Sequence, residues 1–87
     1  MEEHRLALIG ILVEDLEAAA TVNALLHEYA DRIIGRMGIP CRQYGLSVIS
    51  IVLDASLNDI SALSGKLGRI RGITVKSLST KIPPKAE

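Results

Sequence analysis

Two stretches of this chain are apolar on both faces. One is Leu6-Ala7-Leu8-Ile9-Gly10-Ile11-Leu12-Val13. The other, Leu46 to Leu53, reads LSVISIVL, with Ser47 and Ser50 its only polar positions. A strand sends successive side chains to opposite faces, so each stretch, read as a strand, offers apolar surface on both sides. Between them the pattern changes to helical spacing. Ala18, Val22, Leu25, Leu26 and Tyr29 fall on one stripe of a helix expected from about Leu16 to Ala30, with Ala20, Asn23, Ala24 and His27 on the outer side. Asp15 stands where an N-cap belongs. A second helix is expected over about Leu57 to Leu67. Ile60, Leu63 and Leu67 form its inner stripe, Ser56 and Asp59 its capping box, and Gly68 its C-terminal cap. The small residues Ser61, Ala62, Ser64 and Gly65 suit close approach to the sheet, with Lys66 in solvent.

The remaining segments complete the order. Asp31 to Met37, with two arginines, reads as a short edge strand. Gly38-Ile39-Pro40 and Gly45 bracket a hairpin loop containing Cys41. Asp54-Ala55-Ser56 closes the third strand. A last strand covers about Ile73 to Ser79, and residues 81–87, with Pro83-Pro84, read as a frayed tail behind a single domain of residues 1–80. The sequence β-α-β-β-α-β is the split βαβ, or ferredoxin-like, pattern of the α+β class. It predicts an antiparallel sheet of order 4-1-3-2 with both helices on one face, and its two central strands are the two doubly apolar ones.

That topology leaves one sheet face uncovered by the chain. The sets Ala7, Ile9, Ile11, Val13 and Ser47, Ile49, Ile51, Leu53 carry more β-branched bulk and are expected to face the helices. Leu8, Gly10, Leu12, Val48, Ser50 and Val52 then face outward as an apolar patch, the expected interface of a homo-oligomer, a dimer or tetramer. Gly10 would permit close approach across that contact, or leave a gap for a ligand.

Composition narrows the functional classes. The chain has 87 residues, one domain's worth, and domains this small gain from association. Ten basic residues balance ten acidic ones, which argues against a general nucleic-acid binder or a polybasic membrane anchor. No apolar run approaches the length of a membrane span. The acidic start Met1-Glu2-Glu3-His4 is unlike a signal peptide. The single cysteine excludes an internal disulfide framework, and a cytoplasmic location is expected. His4, His27 and Cys41 are the soft metal ligands, and no two of them have ligand spacing, so no metal or other cofactor is assigned within one chain. Ser64-Gly65-Lys66 resembles the end of a phosphate loop, but it lacks the upstream glycine and lies inside a helix. No nucleophile–base set is evident, and no catalytic residue is expected.

One end of the sheet has candidate chemistry. The topology brings the turn Val13 to Glu17 near the turn Gly68 to Gly72. Glu14 and Asp15 would there meet Arg69 and Arg71, an arrangement suited to a small zwitterion or anion.

The segment Ala62-Leu63-Ser64-Gly65-Lys66-Leu67-Gly68-Arg69-Ile70-Arg71-Gly72-Ile73-Thr74-Val75-Lys76 resembles a family of small proteins designated regulators of the iron-only hydrogenase system. Val13-Glu14-Asp15, Val22 to His27 and Arg36-Met37-Gly38-Ile39-Pro40 support the resemblance, which covers nearly the whole chain. It implies an ACT-like, ferredoxin-like fold similar to the nickel-binding domain of the nickel-responsive repressor. It also implies a homo-oligomer and a role in hydrogenase expression or maturation. The repressor's DNA-binding segment precedes its sensor domain. Here the first strand starts within a few residues of Met1, so direct nucleic-acid binding is not expected and any transcriptional effect passes through a protein partner. The repressor draws its nickel ligands from the second and third strands, where this chain has only Cys41, so that site is not carried over. Where ACT domains often have Pro-Gly after the first strand, this chain has Glu14-Asp15-Leu16. The expected function is a non-enzymatic regulatory module sensing a small effector. The alternatives are a metal sensor or metallochaperone using His4, His27 or Cys41 between subunits, and a structural interaction protein.

Overall fold

The computed structural model describes residues 4–81, the last of them by its backbone only. Four strands, β1 (His4–Val13), β2 (Ile33–Cys41), β3 (Leu46–Ser56) and β4 (Ile73–Lys81), form one antiparallel sheet. Its order is β2-β3-β1-β4, which is the expected order read from the other edge. Helices α1 (Ala19–Glu28) and α2 (Leu57–Gly68) carry the chain across. Of residues 81–87, read as a tail, Lys81 is instead the last residue of β4, paired with Arg5, and 82–87 lie outside the described residues, as do residues 1–3.

Alternation along the central strands decides the packing. Ala7, Ile9, Ile11 and Val13 of β1 and Ile49, Ile51 and Leu53 of β3 are buried with Val22 and Leu26 of α1 and Ile60, Leu63 and Leu67 of α2. Ala18 and Tyr29 complete the expected stripe of the first helix, while Leu25 is only half-buried. The opposite set is more open: Leu8 is 40% exposed and Leu12 39%, with Gly10, Val48, Ser50 and Val52 intermediate.

The first helix is less continuous than its periodicity predicts. A 3-10 turn at Leu16–Ala18 precedes α1 and another at Ala30–Arg32 follows it. Asp15 caps the first of these, its Oδ1 accepting from the Glu17 N–H at 3.0 Å. Ser56 does the same for α2, accepting from the Asp59 N–H at 3.1 Å. Ser56 is also the last residue of β3. Its extended backbone serves strand and cap together, so no linker separates β3 from α2, and Asp54 and Ala55 stay in the ladder opposite Leu6 and Arg5.

The largest departure is at β2. The expected strand Asp31 to Met37 begins two residues later and runs to Cys41, so Gly38-Ile39-Pro40 is ladder rather than loop and Cys41 is a strand residue. Proline is tolerated because β2 is an edge, where a residue without an N–H need not break a ladder bond. The turn shrinks to Arg42–Tyr44, closed by Gly45 at φ 69°. Two glycines also differ from expectation. Gly68 is the last residue of α2, and Arg69, in right-handed helical conformation, is its cap, so Gly68 is not the terminating glycine. Among the described residues a Cβ at Gly65 would meet nothing within 4 Å, so close packing between them does not account for glycine there.

Tyr29 joins the two helices at the end of α1. The Lys66 Nζ donates to its hydroxyl at 3.1 Å, so this exposed lysine is not simply in solvent. The phenol oxygen favours the charged ammonium and raises the Lys66 pKa above the usual lysine value. Arg32 lies over the same ring, 5.2 Å from its centroid, and reaches Asp59 of α2 at 3.1 Å.

Candidate ligand cleft at one end of the sheet

The end of β1 and the start of β4 are tied by backbone. The N–H groups of Glu14 and Asp15 both donate to the carbonyl of Gly72, at 2.8 and 2.9 Å. The Thr74 hydroxyl adds a bond to Glu14 Oε1 at 3.1 Å. Gly72 has φ 87°, and a Cβ there would sit 2.5 Å from the Asp15 Cβ. Conformation and space both demand glycine. This left-handed glycine, four residues beyond the one expected to end the helix, lets the α2–β4 turn press against the β1–α1 turn.

The clamp brings the predicted residues to one place. An open cleft of ≈ 380 Å³ is lined by Asp15, Glu17, Ala18, Thr21, Arg69, Ile70 and Arg71. Two carboxylates lie on the side contributed by the β1–α1 turn. Two guanidinium groups lie on the side contributed by the α2–β4 turn. Glu14 is held just beside the cleft by Thr74. Among the described residues no ion pair joins Arg69 or Arg71 to an acid. The guanidinium groups therefore keep their donor capacity for a ligand. Glu17 closes the first of the two turns that the sequence reading brought together but was not named for the cleft, and Ala18 and Thr21 lie beyond that turn and were missed. The signal for Thr21 was helical spacing, since position 21 lies one turn beyond position 17.

The soft ligands are placed apart. His4 Nδ1 is engaged with Asp54 Oδ1 at 2.8 Å. His4 pairs with Ser56 and Cys41 with Leu46, at opposite ends of β3, which separates them by roughly 33 Å at ~3.3 Å per residue. His27 is exposed on α1. Among the described residues no group of three or more His, Cys, Asp or Glu side chains is placed to hold a metal ion. Among them, too, no helix is long and apolar enough to cross a membrane.

Comparison with known proteins agrees with this architecture. The structure of TM1266 from Thermotoga maritima is similar over 88% of this chain and 98% of that one, with 38% identity and a TM-score of 0.84. The ACT domain from the GTP pyrophosphokinase of Chlorobium tepidum has 21% identity and a TM-score of 0.70, covering 84% of this chain and 96% of its own. A dimeric ferredoxin-like protein from an uncultured marine organism shares the fold at 6% identity and a TM-score of 0.52, covering 98% of this chain and all of its own. No curated protein sequence matches. Residues 5–77 match the sequence profile described as "TM1266-like: Iron-only hydrogenase system regulator, putative". The chain therefore belongs to the TM1266-like family, and its fold is the ACT-like form of the ferredoxin-like sandwich.

Proposed function

We propose that this protein is a non-enzymatic, cytoplasmic regulatory module that senses a small charged effector and works as a homo-oligomer. The observation that carries the reading is the cleft held open by the Gly72 clamp. It presents Asp15 and Glu17 opposite Arg69 and Arg71, with the two arginines unpaired with acids among the described residues. A small zwitterion matches this arrangement: its carboxylate or other anionic group is bound by the guanidinium groups, its ammonium by the acids. Family membership supports a regulatory rather than a catalytic role for such binding.

The uncovered sheet face supports the oligomer. Leu6, Leu8 and Leu12 are each exposed by about two-fifths and lie beside half-buried Val48 and Val52. Among the described residues nothing requires glycine at position 10, where a Cβ would meet only the Lys76 carbonyl at an ordinary 3.9 Å. Close approach of a second copy supplies a reason for it. The dimeric ferredoxin-like protein of similar fold is consistent with assembly.

Thermal-shift and calorimetric titration against amino acids and other small zwitterions tests the sensing function. A stabilising ligand whose effect disappears in Arg69→Ala/Arg71→Ala is the expected result. Binding that survives the double substitution would place the effector elsewhere. Sedimentation over a micromolar concentration series tests the assembly, and a stable monomer throughout would refute it.

A further inference from the structure

A second recess lies on the other side of α1, between that helix and β2, and it has a distinct chemistry. Arg36 stands opposite Ile51 in the ladder, so it points to the helix-bearing side of the sheet. Its Nη2 donates to Asn23 Oδ1 of α1 at 2.7 Å. This bond spans a groove with a hollow on either side, both lined by Asn23 and Arg36. The hollow toward the start of α1 has a volume of ≈ 180 Å³ and apolar walls from Val13, Ala19, Pro40 and Ile49. Gly38 belongs to it too, and among the described residues no atom lies within 4 Å of where its Cβ would be. The other hollow, toward Ala30, adds His27.

Among the described residues no Asp or Glu lines either hollow. Among the described residues no ion pair engages Arg36. Its remaining N–H groups and the Asn23 amide N–H groups form a fork of donors at the mouth of an apolar hollow. We infer that this groove binds a small aliphatic carboxylate. The carboxylate is held by Arg36 and Asn23, and the hydrocarbon lies along Gly38 between α1 and β2. At ~30 Å³ per water-sized group, ≈ 180 Å³ holds roughly six non-hydrogen atoms. The site is separate from the Arg69/Arg71 cleft and does not depend on it.

The test is NMR titration of the full-length 15N-labelled protein with acetate, butanoate, hexanoate and the neutral control hexanamide. Hexanoate shifts the Gly38 backbone amide and the Asn23 side-chain amide. Affinity rises from acetate to hexanoate, and hexanamide is silent at these signals. Arg36→Gln weakens hexanoate by about tenfold or more, the expected loss when a charge-assisted pair is removed. Gly38→Val fills the hollow and removes the gain from acetate to hexanoate. Both substitutions are at exposed edge positions, and dispersed spectra confirm that each variant is folded. Carboxylate shifts confined to the Arg69/Arg71 cleft would overturn the inference. So would binding as tight for acetate as for hexanoate, or affinity unchanged in Arg36→Gln.

Discussion

The two faces of the central strands are almost equally apolar in sequence and very different in fate. On β1, Ile9 and Ile11 are fully buried while their neighbours Leu8 and Leu12 remain about two-fifths exposed. On β3, Ile51 is fully buried and Val52 only half. Two helices cover one face of a four-stranded sheet, and among the described residues no further helix lies on the other. Hydrophobicity on the first face is therefore explained by folding. On the second it is surplus to folding, and an association is the simplest physical use for it.

Substitution separates the two faces most sharply where burial is complete. Leu63→Ala, deep between α2 and the sheet, should destabilise the protein by ~2–5 kcal/mol, since it removes fully buried hydrocarbon and leaves a cavity. Urea unfolding measures this, and the same truncation at Leu8 in a dilute monomer should cost much less. Equal losses at the two positions would mean that the open face is already covered. Gly72→Ala comes next. Its strained backbone and overlap with Asp15 should cost about 1–3 kcal/mol. Asp15→Gly in the same chain removes the overlapping Cβ, and should recover part of that loss.

The same comparison shows why the sequence was informative in some places and silent in others. Alternation in β1 and β3 and helical spacing at Ile60, Leu63 and Leu67 are driven by burial, and burial leaves a repeating mark on the sequence. Sheet order and the buried set were legible for that reason. β2 carries no such mark. Its Ile34 and Met37 are more than half exposed and glycines occupy positions 35 and 38, so Gly38-Ile39-Pro40 resembled a turn. Pairing with β3, a long-range fact, keeps it extended. At the cleft, chain topology was enough to bring Glu14 and Asp15 toward Arg69 and Arg71. The role of Gly72 was not legible, because it depends on where the Asp15 side chain lies in space. The Asn23–Arg36 bond was hidden likewise, since Asn23 sits on the helix side that periodicity marks as solvent-facing.

A smaller loss is expected at the β3–α2 junction. Ser56 is buried and its Oγ accepts the Asp59 N–H. Ser56→Ala removes the cap and should cost ~1 kcal/mol, whereas Ser56→Asp, which can also accept that bond, tests whether the buried site admits a charge. Both are read from denaturant midpoints at constant m-value.

The smallest effect on the folded chain should come from the substitution with the largest effect on assembly. Leu12→Lys places a charge on the open face beside Val48, where the side chain already has access to water. In a monomer the long lysine stem can lie along its neighbours with the ammonium in solvent, so the change in unfolding free energy should be within about 0.5 kcal/mol. In an oligomer joined through this face the same ammonium would be buried without a partner, at a cost of several kcal/mol, and association would be lost. Sedimentation velocity should then show a monomer at concentrations where the unaltered protein is assembled. Thermal unfolding should lose its dependence on protein concentration. A variant that stays assembled would move the interface to another surface, of which the exposed β2 edge is the nearest candidate. A variant that fails to fold would show that the face is needed within the chain itself, and the contrast between the two sides of the sheet would disappear.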